Sequence, residues 1–303
     1  MPAPTFLLPQ AEIMAPGHLA CAGCGAALSM RLALKALGSD TIMVVPACCW
    51  SVVDGPAPFS ATGVPVMHTP FASAAAAAAG VRAGLDRQRD ATTTVCAWAG
   101  DGGTFDIGLQ SLSAVAERDE NILYVCYDNE AYMNTGVQRS SATPFGAWTT
   151  TTPSGHEKDR PKKDLLAIMA AHGVPYAATA TMAYPDDFVA KFQKAMTIRG
   201  TRIIHLLSPC PPGWKMSSEH SVRYARLAVA ARVFPLVEVE QGRTWRITVD
   251  PDPIPVEQYF RGQGRFRHLA DDPQALARAQ GSVDERWAAL MTRVKGSHAQ
   301  HSH

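Results

Sequence analysis

Short, unbroken apolar runs alternate with helix-spaced segments along this chain. The runs are 41–45, Val95-Cys96-Ala97-Trp98-Ala99, 122–127, 174–179 and 203–207. Runs of this length with no polar alternation are the mark of strands buried on both faces. Between them, 26–37, 105–118 and 186–198 carry apolar residues at helical spacing. In 105–118 Ile107, Leu109, Leu112, Val115 and Ala116 fall on one face. Residues 71–88, with six alanines in a row, predict a helix of little side-chain bulk that packs closely on the sheet or on a partner helix. The alternation predicts an α/β fold, a mostly parallel sheet flanked by helices. Further on, 217–233 reads as helix, 236–249 as two strands split by Gln241-Gly242, and 273–294 as a terminal helix. The expected organisation is therefore a main α/β domain over 1–234, a C-terminal extension over 235–295 placed at a subunit interface, and a disordered tail over 296–303.

Polar residues gather where the strands end. The second run leads into Gly100-Asp101-Gly102-Gly103, and the third into Asp128-Asn129-Glu130-Ala131-Tyr132-Met133-Asn134. With one helix between them, both loops leave the carboxyl ends of neighbouring parallel strands, the edge where open α/β sheets bind ligands. Asp101 offers a carboxylate oxygen, Asn129 an amide oxygen, and a backbone carbonyl a third, all hard donors suited to Mg²⁺. The glycines admit backbone N–H groups close to a diphosphate. A glycine-rich turn of an ordinary α/β domain is the plain alternative, and the second loop after the next strand weighs against it. The dinucleotide fingerprint fits poorly, because Gly100, Gly102 and Phe105 break its spacing. The Gly-Asp-Gly with its later Asn resembles the thiamine diphosphate signature.

Seven cysteines add a second signal. Cys21 and Cys24 form a C-x₂-C pair before the first helix, Cys49 follows the first apolar run, and Cys210 follows the last among Pro209, Pro211 and Pro212. If these four meet at one sheet edge, they suit either a tetrahedral Zn²⁺ or an iron–sulfur cluster. Structural zinc commonly takes two C-x₂-C pairs, so one pair with two distant singles favours a [4Fe–4S] cluster. Cys96 and Cys126, mid-strand, read as core thiols, and Cys48 is ambiguous beside Cys49.

Taken in order, Cys21-x₂-Cys24, Cys49, Gly100-Asp101-Gly102, the segment 127–136 and Ser208-Pro209-Cys210 resemble the β subunit of 2-oxoacid:ferredoxin oxidoreductases, the pyruvate:ferredoxin oxidoreductase family. The resemblance runs over 17–214 and resumes at 258–269. It implies a thiamine-diphosphate-binding fold in which Cys21, Cys24, Cys49 and Cys210 hold a [4Fe–4S] cluster. It also implies that Asp101, Asn129 and the carbonyl of Ala131 bind Mg²⁺, that Asn134 faces the reacting carbon, and that Gly100, Gly102, Gly103, Thr135 and Gly136 help to seat the cofactor. Cys48 stands where relatives often carry Gly, and the spacing from Cys21 favours Cys49 as the third ligand. The implied reaction is CoA-acylating oxidative decarboxylation of a 2-oxoacid, with pyruvate the commonest substrate and branched-chain or aryl acids such as phenylglyoxylate also handled. Electrons would pass through the cluster to ferredoxin, or to NAD through a flavin subunit.

What the chain lacks implies partners. The carboxylate that activates the thiamine ring is not assignable here: Glu117 lies at the far end of its helix and Glu130 suits loop stabilisation. The resemblance assigns that group and the substrate pocket to an α subunit, and onward wiring to a γ subunit and a ferredoxin-like δ subunit. The segment 136–163, rich in Thr, Ser, Pro and Gly, is long for a structureless connection, and Arg139, Ser140, Ser141, Thr143 and Pro144 are expected to cover the cofactor or face the α chain. Asp106 and Asp128 are expected to support the metal loops or cap a helix, and His18, His68, Trp50 and Trp148 are as well explained by packing and loop order as by ligand contact.

Composition sets outer bounds. The 303 residues are 47% hydrophobic, enough for one large core. Lys and Arg total 28 against 27 Asp and Glu, and this +1 balance argues against a nucleic-acid partner. No apolar stretch has membrane-span length, residues 1–10 lack a basic leader, and reduced cluster cysteines suit the cytoplasm. The rival reading is a non-redox thiamine-dependent decarboxylase or synthase subunit with structural zinc.

Overall fold

The computed structural model describes residues 8–269 and 272–299. Its strands are β1 (Thr41–Pro46), β2 (Val66–Thr69), β3 (Thr94–Gly100), β4 (Leu123–Asp128), β5 (Tyr176–Thr181), β6 (Arg202–Leu207), β7 (Leu236–Glu240) and β8 (Thr244–Val249). They form one sheet in the order β2-β1-β3-β4-β6-β5-β7-β8. The first six are parallel, while β7 and β8 join antiparallel at the β5 edge. The uninterrupted apolar runs are explained by burial: every residue of β3, β4, β5 and β6 is buried. The C-terminal strands thus extend the same sheet.

The helices are α1 (Gly25–Leu37), α2 (Trp50–Val53), α3 (Ala74–Arg87), α4 (Leu109–Glu117), α5 (Leu165–Ala171), α6 (Pro185–Thr197), α7 (Pro211–Trp214), α8 (Ser221–Ala230), α9 (Val256–Phe260) and α10 (Pro273–Ala299). On one face of the sheet α1 and α6 bury Met30, Leu34, Phe188 and Phe192 with Trp50 and Trp98. On the other, α3, α4, α5 and α10 cover Val95, Tyr124 and Ile203. The alanines of α3 are the thin surface that lets this helix lie close against β1, β3 and α4. A third cluster, around Trp214, Tyr259 and Phe266, packs α8 and α9 beside the carboxyl ends of the strands.

Two elements differ from the pattern-based expectation. The helix expected over 105–118 is a π-helical turn, Gly102–Ile107, followed by α4. The wider turn brings the Gly103 carbonyl against Gly108, where a Cβ would stand 2.2 Å from that oxygen. Such π segments often mark functional sites. At the other end, residues 296–299, read as part of a tail, complete α10, while 300–303 lie outside the described residues. Among the described residues no helix is long and apolar enough to cross a membrane.

The last turn of α10 is fixed by buried Ser297, whose hydroxyl accepts from Trp245 N–H (2.8 Å) and donates to the Arg243 carbonyl (3.1 Å). Ser297→Ala leaves the Trp245 N–H without its partner, a loss of about 1–2 kcal/mol. Thermal unfolding should then shift down by about 2–6 °C. An unchanged midpoint would mean that this turn does not hold α10 to β8.

Candidate functional site

The chain leaves β1 for β2 on one side of the sheet, and β3 lies on the other. Neighbouring connections part at such a switch point and leave a crevice. Here the crevice is a cleft of about 190 Å³. Its walls are the loops after β1 (Cys48, Cys49), β3 (Gly100 to Gly103) and β4 (Asn129 to Thr135), with Phe71 after β2. The π turn starts at Asp101 and is closed by the Thr104 hydroxyl, which donates to the Gly100 carbonyl at 2.8 Å. Gly102 is obligatory, since a Cβ would lie 2.1 Å from the Tyr132 ring.

Three oxygen-bearing groups converge at the base of the cleft. One terminal atom of the Asn129 amide lies 2.8 Å from the Ala131 carbonyl oxygen and 3.0 Å from Asp101 Oδ1. If that atom is nitrogen, it donates to both; if it is oxygen, three oxygens face one another with no proton between them, an arrangement that a cation satisfies. The other Asp101 oxygen accepts from the Ser140 hydroxyl. Burial and the nearby Asp128 carboxylate push the Asp101 carboxyl well above the ordinary range, against the opposing pull of the Ser140 hydrogen bond and Lys162. Asn134 and Thr135 are exposed within the cleft, and Thr135 is held by Gln138 at 2.6 Å. Gly136, at φ 119°, turns the chain away and lies outside the cleft lining. The irregular segment folds back as expected. Ser140 reaches Asp101, and Asp106 accepts from Tyr132 Oη (3.0 Å) and the Ser141 N–H (3.0 Å), a loop lock with no helix-capping role.

The cysteine loops meet beside this cleft. The Gly25 N–H donates to the Pro209 carbonyl at 3.0 Å, which joins the Cys24 loop to the Cys210 loop. Gly23 and Gly25 allow the approach, for a Cβ there would fall 2.0 Å from the Ser218 oxygen and 2.8 Å from Pro209. Burial raises the Cys49 thiol to about 12, with Cys210, Cys48 and Cys24 adding to the rise. It raises Cys210 to about 11, with Cys24 and Cys21 contributing. The Cys24 and Cys210 loops are therefore adjacent, with Cys49 near both. Among the described residues no group of three or more His, Cys, Asp or Glu side chains is placed to hold a single metal ion. Cys48 and Cys49 lie in the turn after β1 and not in the strand, so strand alternation does not apply to them. Cys48 interacts with the Tyr127 hydroxyl, whereas Cys96 and Cys126 are fully buried in the core.

Sequence reasoning singled out Asp128 and Glu130 as supports of the β4 loop but missed their partners beneath it, Lys162, His205 and Arg265. Asp128 contacts Lys162 and lies 2.7 Å from His205 Nε2; Lys162 reaches Glu130 at 3.0 Å, and Arg265 pairs with Glu130 at 2.7 Å. All five are buried. Burial alone would raise Asp128, but Lys162 and His205 hold it below the ordinary carboxylate range. Burial lowers the His205 pKa against the raising pull of Asp128, which its Nε2 meets at 2.7 Å. The Arg265 guanidinium stacks 3.8 Å from the centre of the Trp214 ring, and Trp214 Nε1–H donates to the Asn129 carbonyl at 2.8 Å. The return of the resemblance at 258–269 was the one available sign of Arg265.

Other singled-out residues lie apart from the cleft. His18 lines the cavity beside Cys21 and accepts from the Ala20 N–H at 3.3 Å. His68 is exposed on β2, and Trp50 packs against Trp98 in the core. Trp148 lies under Lys215. Glu117 is exposed at the end of α4, and Asp101 is the sole carboxylate among the residues lining the cleft.

Comparison with known proteins agrees with this geometry. Residues 52–206 match the family model for the C-terminal thiamine pyrophosphate (TPP) binding domain of thiamine pyrophosphate enzymes. The pyruvate synthase subunit PorB of Methanothermobacter marburgensis is 50% identical over 272 residues, covering 88% of this chain and 94% of the relative. The ketoisovalerate oxidoreductase subunit VorB of Pyrococcus horikoshii is 46% identical over 294 residues, covering 93% and 94%. A solved 2-oxoglutarate:ferredoxin oxidoreductase from Magnetococcus marinus, with 2-oxoglutarate, coenzyme A and succinyl-CoA bound, shares the fold at TM-score 0.57 and 22% identity over 73% of this chain and 84% of that one. A matching thiamine pyrophosphate binding domain, and near-full-length relatives of about half-identical sequence, lead to one conclusion: the chain belongs to the β subunits of the 2-oxoacid:ferredoxin oxidoreductase family, enzymes that act with partner subunits.

Proposed function

We propose that this subunit binds thiamine diphosphate through Mg²⁺ and a [4Fe–4S] cluster through four cysteines, and that with its partners it converts a 2-oxoacid and CoA to acyl-CoA and CO₂. The observation that carries the reading is the convergence of Asp101, Asn129 and the Ala131 carbonyl on one point of a glycine-walled cleft. Those groups would hold Mg²⁺ as hard oxygen ligands, with Ser140 orienting Asp101. Backbone at Gly100, Gly102 and Gly103 would lie against the diphosphate, and Asn134 and Thr135 would face the reacting end, with Gly136 shaping their loop. When bound, thiamine diphosphate supplies an electron sink for decarboxylation and the cluster accepts electrons singly.

Cys21, Cys24, Cys49 and Cys210 are the donors for the cluster. The Gly25 to Pro209 hydrogen bond that joins the Cys24 and Cys210 loops supports this donor set, and one C-x₂-C pair with two distant single cysteines favours a multi-atom group over tetrahedral zinc, the non-redox alternative. That the relatives are named as subunits of larger oxidoreductases supports a partner α subunit as the source of the activating group, with γ and δ subunits carrying electrons to ferredoxin or, through a flavin subunit, to NAD. The names of the relatives point to aliphatic acids, pyruvate first and ketoisovalerate next. A cytoplasmic location suits the reduced thiols.

The assembled enzyme, purified anaerobically, should be brown and should reduce ferredoxin on addition of CoA with pyruvate, with smaller rates for ketoisovalerate and phenylglyoxylate. A colourless, zinc-loaded protein would instead support the rival. Asp101→Ala should weaken thiamine diphosphate retention by ~100-fold while leaving the chromophore, and Ser140→Ala should weaken it by ~10-fold. Equilibrium dialysis of the cofactor reads both, and full retention in Asp101→Ala would remove it from the ligand set. Cys24→Ala should do the reverse, keeping cofactor binding and losing the visible absorption; an unaltered spectrum would eliminate Cys24 as a ligand.

A further inference from the structure

A second cavity, of about 280 Å³, lies on the opposite side of the β4 loop's charged residues. It is enclosed by α10, by the segment that precedes α5, and by the faces of β5, β6 and β7 at Thr179, His205 and Val237. It shares no lining residue with the cofactor cleft. Its walls are mostly apolar, with Leu165, Leu166, Phe234 and Leu290 among them, yet its charged lining is lopsided: Lys162, Lys163, Arg232, Arg286 and Arg293 against Asp164 alone.

Three of these cations are already neutralised. Lys162 is taken by Asp128 and Glu130, Lys163 by the Phe105 carbonyl and Asp106, and Arg293 by Asp164 at 2.8 Å. Two are not. Arg286 reaches the cavity from an exposed position on α10 and makes no hydrogen bond or ion pair among the described residues. Arg232 rests on the Trp287 ring at 4.1 Å, and its buried Nε has no hydrogen-bond partner. Its backbone also holds a left-handed φ of 57°, a conformation that costs a residue with a Cβ about 1–2 kcal/mol. Arg232 and Arg286 thus present two guanidinium groups without a carboxylate partner at the rim of an apolar cavity, and the planar fork of Arg suits both phosphate and carboxylate.

We propose that this cavity is a binding site for a small organic dianion, a phosphomonoester or dicarboxylate on a flat apolar body, held by Arg232 and Arg286. The head lies between the two guanidinium groups. The body lies against Phe234, Leu165 and Leu290, where an inorganic ion has nothing to bury. The site is independent of the cofactor reading.

The test is calorimetric titration of the assembled enzyme with adenosine monophosphate, phthalate and inorganic phosphate. At least one organic dianion should bind ~10-fold or more tightly than inorganic phosphate, and which of the two binds identifies the head group. Arg286→Gln and Arg232→Gln should each weaken that binding by ~10-fold or more. Ala289→Trp, which places bulk in the cavity from an exposed position on α10, should abolish it. Excess thiamine diphosphate should not displace the probe. No binding by either organic probe, equal binding of inorganic phosphate, unchanged affinity in the three variants, or displacement by thiamine diphosphate would each overturn the proposal.

Discussion

The constraint on which the site depends is the need to neutralise charge beneath the β4 loop. Asp128 and Glu130 flank Asn129 and are almost inaccessible to water. A buried carboxylate without a partner is strongly unfavourable, and removing one member of a buried pair typically costs about 3–5 kcal/mol. The chain brings Lys162 from the long irregular segment, His205 from β6 and Arg265 from the C-terminal region to meet them. Three distant parts of the sequence are thereby drawn to one loop, and the loop's polar atoms are aimed in a single direction. Such networks add rigidity only when all members are satisfied, and here each carboxylate has a cation.

The sheet order explains why the cleft forms where it does. Connections part between β1 and β3, so glycine loops and cysteine turns line one crevice. One carboxylate, Asp101, faces that crevice, with Ser140 as its neutral partner. Apolar Phe71 and Met133 and the exposed side chain of Asn134 make up the rest of its rim.

Much of this was legible in the sequence, for identifiable reasons. Buried parallel strands have no polar alternation, so their runs stood out, and polar loops at their ends located Asp101, Asn129 and the cysteines. The π turn was hidden because Gly102 to Ile107 has the composition of a first helical turn, and only the contact of Gly108 with the Gly103 carbonyl reveals the extra residue. Lys162 was invisible because a lone lysine between Pro161 and Lys163 reads as solvent-facing. His205, inside an apolar strand, looked like a strand residue; its role depends on Asp128, 77 positions away. Long-range pairing of charges has no period and leaves no local trace.

Trp214 carries a consequence of its own. Its indole hydrogen bond to the Asn129 backbone makes a short mechanical strut from the turn after Cys210 to the loop that holds the oxygen donors. Slack introduced at one end of that strut is transmitted to the other. Damage to the turn that carries Cys210, by oxidation for example, would therefore unsettle the Asn129 loop even with every oxygen donor intact.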